Sequence, residues 1–427
     1  MVTIATLFLA LLFTLSNCRS GIYKEVNQIP VIDVASNVKS FRHINLSEVA
    51  ESIEYISLET NKDYLVGKIN DLIITDDRFF VVGPFSCNVF DLQGNFLCNI
   101  GGKGNGPGEY NLINRCSVDE ENKAVYIFTD HELYEYDYNG NYIQTITLKV
   151  RRPDEYWYET IYIADSLFLG TTTLGKLDMG NFCYIFNKNG DVITVNEKKP
   201  FSEPVDIKWF KTQFAINNVL IYSGDYFLIK CGYDDTLYYL NNKLKFEPKY
   251  VFNFGEYSDP IAKFNATTAE EEHKIILNQI GFGYYLTETN DYVLFNLFFG
   301  DNYPKDDELV EVSVNVNGNT IQHISTTARG LYNKQNSDLV FLKNSNNYYG
   351  FMNDIDGGLP FWPLVQAHNE QLVSYLEPYD LKMWVKSDVF KNSKPLYSEK
   401  KAHLEELTNG LNENDNPVII LLKLKEL

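Results

Sequence analysis

The stretch Phe90-Asp91-Leu92-Gln93-Gly94-Asn95-Phe96 decides the fold, because the chain repeats it. Its echoes are Tyr136-Asp137-Tyr138-Asn139-Gly140-Asn141-Tyr142, Phe186-Asn187-Lys188-Asn189-Gly190-Asp191-Val192 and Val314-Asn315-Val316-Asn317-Gly318-Asn319-Thr320. A degenerate copy is Tyr239-Leu240-Asn241-Asn242-Lys243-Leu244. Each reads as a strand, a tight turn in which Gly or Asn supplies a positive φ, and a returning strand. Turn positions 94, 140, 190 and 242 are spaced by 46, 50 and 52 residues, close to one four-stranded propeller blade of roughly 40–50 residues. The next step, to Gly318, is 76 residues and holds a helix predicted over Asn265 to Gln279. There Thr267 or Thr268 with Glu270 or Glu271 offers a capping box, and Gly281 a stop.

The two ends fit closure. Ser52 to Leu58 alternates as a strand, and Pro417 to Leu424 reads as another. One blade assembled from both would remove the free edges that invite aggregation. With the helix and an irregular stretch at 344–412 set aside, the rest divides into about six units of about 50 residues. The expected fold is all-β: a six-bladed β-propeller over 29–427 with a short helical insertion, closed by N- and C-terminal strands. A β-sandwich is the rival, but regular spacing favours radial repetition. Aromatic content of 15%, with 30 Tyr and 28 Phe, suits the pleated surface of strands.

The balance of 37 basic against 57 acidic residues gives a net charge of −20. Nucleic acid is therefore not an expected partner, since phosphate binding concentrates Lys and Arg. The six cysteines, Cys18, Cys87, Cys98, Cys116, Cys183 and Cys231, form no C-x-x-C pair, and six His are scattered. No metal site or cofactor is expected.

The N-terminus reads as an address. Val2 to Leu15 is nearly all apolar. At about 1.5 Å per residue it spans roughly 21 Å, short of the roughly 30 Å hydrocarbon core. It fits the apolar region of a signal peptide better than a membrane span. Leu15-Ser16-Asn17-Cys18 follows and resembles a lipobox, with two departures: no Lys or Arg precedes the apolar run, and Asn17 stands where a smaller residue is usual. A plain secretory signal with an incidental cysteine is the alternative. The expected division is a signal peptide at 1–17, a tether at 18–28 and the propeller at 29–427, with Cys18 lipidated. The protein is then membrane-anchored in the bacterial cell envelope, on the outer membrane. Arg19-Ser20-Gly21 lacks the acidic run that marks surface export in related lipoproteins, which favours the periplasmic face.

Further along stand Gly101-Gly102-Lys103-Gly104-Asn105-Gly106-Pro107-Gly108-Glu109-Tyr110, Asp234-Asp235-Thr236-Leu237-Tyr238, Asn353-Asp354-Ile355-Asp356-Gly357-Gly358-Leu359-Pro360-Phe361-Trp362 and Asn412-Glu413-Asn414-Asp415-Asn416-Pro417. From about Ile29 to the C-terminus the chain resembles the six-bladed β-propeller lipoproteins, NHL-like in their blades, of Gram-negative gut bacteria. The resemblance implies fold and envelope location. It brings no settled activity and no catalytic residue.

Candidate contacts come from the loops. The Gly101–Tyr110 segment lacks the G-K-[ST] order and helix of a phosphate loop, and reads as a blade-to-blade connection. Glu109 and Tyr110 are candidate ligand contacts if they face the top surface or channel. Asp354 and Asp356 echo a calcium loop but lack its later ligands. Phe361 and Trp362 offer a stacking platform for a sugar. The adjacent pairs Asp76-Asp77, Asp234-Asp235 and Asp306-Asp307 read as solvated turns, because neighbours in a strand point to opposite faces. The functional reading is a non-catalytic binding or scaffold module for a glycan, peptide or envelope protein. Two alternatives stay open: an enzyme at the channel mouth, and a component of an envelope transport system.

Overall fold

The computed structural model describes residues 29–425 apart from 130–131, 150–154, 175–180, 199–218, 224–225, 231–234, 259–267, 308–309, 317–318, 346 and 367–370. Residues 1–28, where a signal peptide, a tether and a lipidated Cys18 are expected, lie outside the described residues, as do Asp234 and the turn at Asn317-Gly318.

Six four-stranded antiparallel blades form the ring, with strands A to D running from axis to rim. Blade 1 is Asp71–Ile74, Arg78–Val82, Cys87–Asp91 and Phe96–Asn99; blade 2 is Arg115–Asp119, Ala124–Phe128, Glu132–Asp137 and Tyr142–Thr147. Blade 3 is Glu155–Ala164, Leu167–Leu174, Asn181–Asn187 and Val192–Lys198; blade 4 is Val219–Ser223, Tyr226–Lys230, Thr236–Leu240 and Phe246–Asn253. Blade 5 is Gly281–Glu288, Tyr292–Phe298, Thr327–Asn333 and Leu339–Leu342. Blade 6 takes Val365–Gln366, Gln371–Leu376 and Val418–Leu424 from the C-terminal part and Ala50–Ser57 from the N-terminal part, so both ends close the ring as expected. The A strand of blade 6 touches those of blades 5 and 1.

The N-terminal segment does more than close one blade. Val31–Asp33 adds a parallel fifth strand to blade 4, and Phe41–Arg42 adds another to blade 5, before Ala50–Ser57 completes blade 6. The strap covers three consecutive rims that would otherwise present open edges.

Each blade is buried on both faces, so its residues alternate between two neighbours. In blade 2, Val125 and Ile127 pack with Phe80 and Val89 of blade 1, while Tyr126 and Phe128 pack with Phe168 and Phe186 of blade 3. Equivalent clusters fill every blade-to-blade interface. A fully buried Phe such as Phe79, Phe80 or Phe168 contributes about 1.5–3 kcal/mol.

The repeated turn is the C–D hairpin of each blade. Asp91, Asp137, Asn187 and Asn241 each use Oδ1 to accept the backbone N–H groups two and four residues on, at 2.8–3.1 Å. This is a type I turn followed by a left-handed residue and a bulge. The left-handed position is Gly94, Gly140 or Gly190 (φ 86°, 82° and 72°), but Leu244 (φ 58°) in blade 4.

The structure corrects two expectations. The Gly318 copy is no blade turn: Val310–Val316 and Asn319–Ser325 form a separate two-stranded hairpin between strands B and C of blade 5. The true turn of blade 5 is Asn333–Asp338, where Asn333 Oδ1 accepts from Gln335 N and Asn336 N, and Ser337 has φ 63°. The stretch 344–412 is not irregular throughout. Between strands B and C of blade 6 it carries helices Pro378–Lys386, Asp388–Asn392 and Ser398–Gly410, whose apolar residues Leu381, Trp384, Phe390 and Leu404 share a small core with Leu359 and with Val418 of strand C. The predicted helix is present over Ala269–Leu277, shorter than expected, with Thr268 Oγ1 accepting from Glu271 N at 3.1 Å.

Candidate functional site

In an up-and-down blade the B–C and D–A connections leave at one end of the strands and the A–B and C–D turns at the other. Every large elaboration is of the first kind. The hairpin Val310–Ser325 and the three C-terminal helices are B–C insertions of blades 5 and 6. The helix Ala269–Leu277 and the loop 343–364 are D–A connections, into blades 5 and 6. One face, over blades 5 and 6, is thus built up, while the opposite ends of blades 1 to 4 carry tight turns.

Beneath that face strand C of blade 5 presents Arg329, 8% exposed. Its Nη1 donates to Thr327 O at 3.2 Å, while its Nε is buried with no hydrogen-bond partner. The guanidinium carbon lies 3.3 Å from the ring centroid of Tyr349, which is 39% exposed on the loop above. Among the described residues no carboxylate pairs with it. Burial pushes its pKa down to about 10, against the support of Tyr349 and Tyr303. Arg329 is in register with Asn296 of strand B, so the two side chains leave the same face of the sheet. Asn296 Oδ1 is likewise buried without a partner. Strand A loses register beside it, between Phe282 and Leu286, where Gly283 lets the two backbones approach.

Asp307, next to Tyr303 in the same insertion, is engaged by other partners. Asp307 accepts from Tyr303 Oη at 2.8 Å and Asn344 N at 3.1 Å, and Asn344 Nδ2 donates to Tyr303 Oη at 2.9 Å. Close to Tyr349, Tyr375 is raised by burial and by the charges of Glu377 and Tyr349. Glu377, at the start of helix Pro378–Lys386, is raised by burial and by Asp380, and Asp380 by burial.

The residues singled out from sequence lie elsewhere. Glu109 is exposed in the blade 1–2 connection, where its Oε2 accepts from Gly106 N at 2.8 Å. Tyr110 is 2% exposed, its hydroxyl donating to Ile100 O at 2.6 Å within the blade 1–2 core. Phe361 and Trp362 are 2% and 6% exposed in the blade 5–6 core. Phe361 exchanges backbone hydrogen bonds with Phe351, and the Trp362 ring stacks on Phe351. These three rings have no free face, and the structure does not bring them together with Glu109. Asp354 accepts from Ser47 N and Oγ, and buried Asp356 from Gly358 N, so the two carboxylates face protein partners rather than a shared cation. Among the described residues no cluster of three His, Cys, Asp or Glu could hold a metal. Of the adjacent acids, Asp306 is exposed as expected, whereas Asp307 is buried and Asp235 is raised by burial.

Arg329, Asn296 and Tyr349 escaped the sequence reading. Their signal is a single strongly polar residue inside an apolar strand, in Ala328-Arg329-Gly330-Leu331 and in Leu294-Phe295-Asn296-Leu297.

The family described as "Domain of unknown function (DUF4934)" matches residues 29–423. No curated protein matches. Among solved structures, the chain is similar to a Bacteroides fragilis protein described as exported, at 16% identity and a TM-score of 0.66, covering 93% of this chain and 100% of that one. A member of the DUF4221 family from Bacteroides vulgatus aligns at 10% identity and a TM-score of 0.46, over 88% of this chain and 97% of its own.

Proposed function

The chain belongs to the DUF4934 family, and on that premise we propose that it is a non-catalytic binding module exported to the cell envelope. Its NHL-like propeller is held to the membrane by a lipid on Cys18. The observation that carries the binding role is the concentration of insertions over blades 5 and 6, above a buried guanidinium that pairs with no carboxylate among the described residues. Loops on a rigid ring are where recognition residues gather. Support for export comes from the apolar N-terminal run ending at Cys18 and from the Bacteroides fragilis relative described as exported. In keeping with a non-catalytic role, Asp71 on the A strand of blade 1 is matched by Arg115 on that of blade 2 at 3.6 Å.

A thermal-shift screen of the full chain against glycan and peptide libraries tests the role. A ligand at 100 times its Kd adds about 2.7 kcal/mol of stability, and the expected result is a stabilising ligand recovered unchanged. A ligand recovered as product would overturn the reading in favour of an enzyme. Metabolic labelling with a fatty acid, lost in Cys18→Ala, tests the anchor.

A further inference from the structure

We infer that the corner formed by Arg329, Asn296 and Tyr349 anchors the carboxylate of an acidic sugar. This rests on the insertion-bearing face being the ligand face, and it adds the ligand's chemistry.

A guanidinium taken out of water is normally paired with a carboxylate, because an uncompensated buried charge is costly. Arg329 instead has one backbone carbonyl on Nη1, the Tyr349 ring over its plane with that residue's hydroxyl as a further hydrogen-bonding partner, and an unused Nε, and no carboxylate among the described residues. Nε and the neighbouring terminal nitrogen form the edge that grips a carboxylate side-on through two parallel hydrogen bonds. Asn296 adds the opposite need, a buried acceptor without a donor, from the adjoining strand. One group must therefore bring acceptors and a nearby donor together. Free sulfate brings acceptors alone, and a phosphate only acceptors with a donor on the anion itself, whereas a uronic acid brings a carboxylate flanked by separate hydroxyls. Tyr349, partly exposed, offers an aromatic edge to a sugar ring. Glu377, which shares Tyr375 as a neighbour with Tyr349, and Asp380 beside it offer acceptors for its remaining hydroxyls. A peptide C-terminus shares the carboxylate but presents few hydroxyls to those acids.

The test is calorimetric titration of the full chain with a galacturonic acid trisaccharide and with its neutral methyl ester. The acid is expected to bind and the ester not. Arg329→Met should weaken the acid about tenfold to a hundredfold, the loss of a charge-assisted contact. Should Arg329→Met fail to fold, Tyr349→Ala on the exposed loop serves instead, with a several-fold loss expected. Equal binding of acid and ester, or variants that bind as wild type, overturns the carboxylate anchor yet leaves the binding role standing. Binding of a peptide with a free C-terminus but not of the trisaccharide, dependent on Arg329, overturns the sugar assignment. Binding of none of these probes overturns the inference, and the library screen then decides whether the binding role falls with it.

Discussion

Gly140→Ala tests whether the turn glycines also set the spacing between blades. Gly140 has φ 82°, and a Cβ there would stand 2.1 Å from Asn99 O, the last carbonyl of strand D in blade 1. The same approach recurs at Gly94 on Ser57 O and at Gly190 on Thr147 O, at 2.2 and 2.3 Å. Two costs add. Holding Ala in the left-handed region costs about 1–2 kcal/mol. Relieving contact with a backbone carbonyl requires the blades to part, an overpacking cost of about 1–3 kcal/mol. Urea unfolding of the full chain, followed by fluorescence, should therefore show a loss of about 2–5 kcal/mol. Gly140→Asn separates the two parts, because Asn tolerates the left-handed region and should lose only the second. Gly67→Ala is the control: nothing lies within 4 Å of its Cβ position, and a change under about 0.5 kcal/mol is expected. A neutral Gly140→Asn would refute the blade-spacing role, and a neutral Gly140→Ala would refute both costs.

Ser337→Gly should act in the opposite sense. Exposed Ser337 holds φ 63° in the blade 5 turn, and Gly should raise the melting temperature, a gain of up to about 1 kcal/mol. Trp384→Phe removes the indole N–H that donates to Gly357 O at 2.9 Å and leaves that carbonyl unpaired. A loss of about 1–3 kcal/mol in urea unfolding is expected. Burial raises the Asp356 carboxyl, against the hydrogen bonds from Gly358 N and Tyr55. The folded chain therefore holds that proton more tightly than the unfolded chain does. Its contribution is full below the ordinary carboxylate value, about 4, and is lost as pH rises through the raised value. Asp356→Asn should flatten the stability curve over that window, measured as the difference from wild type.

The ring was legible because its signal is local and repeated. An Asx residue with a glycine three positions on encodes a hairpin within five residues, and three such turns gave the period. The rest failed where the local signal was weak or misplaced. Asn333-Lys334-Gln335-Asn336-Ser337-Asp338 performs the same turn without glycine, one residue longer, so nothing marked it. Val314 to Thr320 has the motif's letters, yet among the described residues its strands form a separate two-stranded sheet. Motif and blade membership are separate properties, because the second depends on partners distant in sequence. The three C-terminal helices were missed for another reason: each is short and turns only a few apolar residues onto one small cluster shared with the loop beneath and with Val418, Tyr55 and Leu376 of blade 6, which leaves short, weak periodicities.

The site was illegible for a deeper reason. Glu109, Tyr110, Phe361 and Trp362 stand in glycine- and aspartate-rich segments, and such segments advertise loops. In this chain the same loops dock onto the ring, so their aromatic residues become core. Arg329 and Asn296 sit where sequence reading expects only packing, in the central strands of a blade. What makes them notable is what they lack. Nε of Arg329 and Oδ1 of Asn296 are buried without partners, and no pattern of residues encodes a missing hydrogen bond. That property belongs to the assembled blade, because strand pairing sets residues 296 and 329 side by side while the loop above supplies Tyr349. A propeller can afford the defect at this spot, since six interlocking blade interfaces hold the ring without it. The stability left out of one corner is available to whatever completes it.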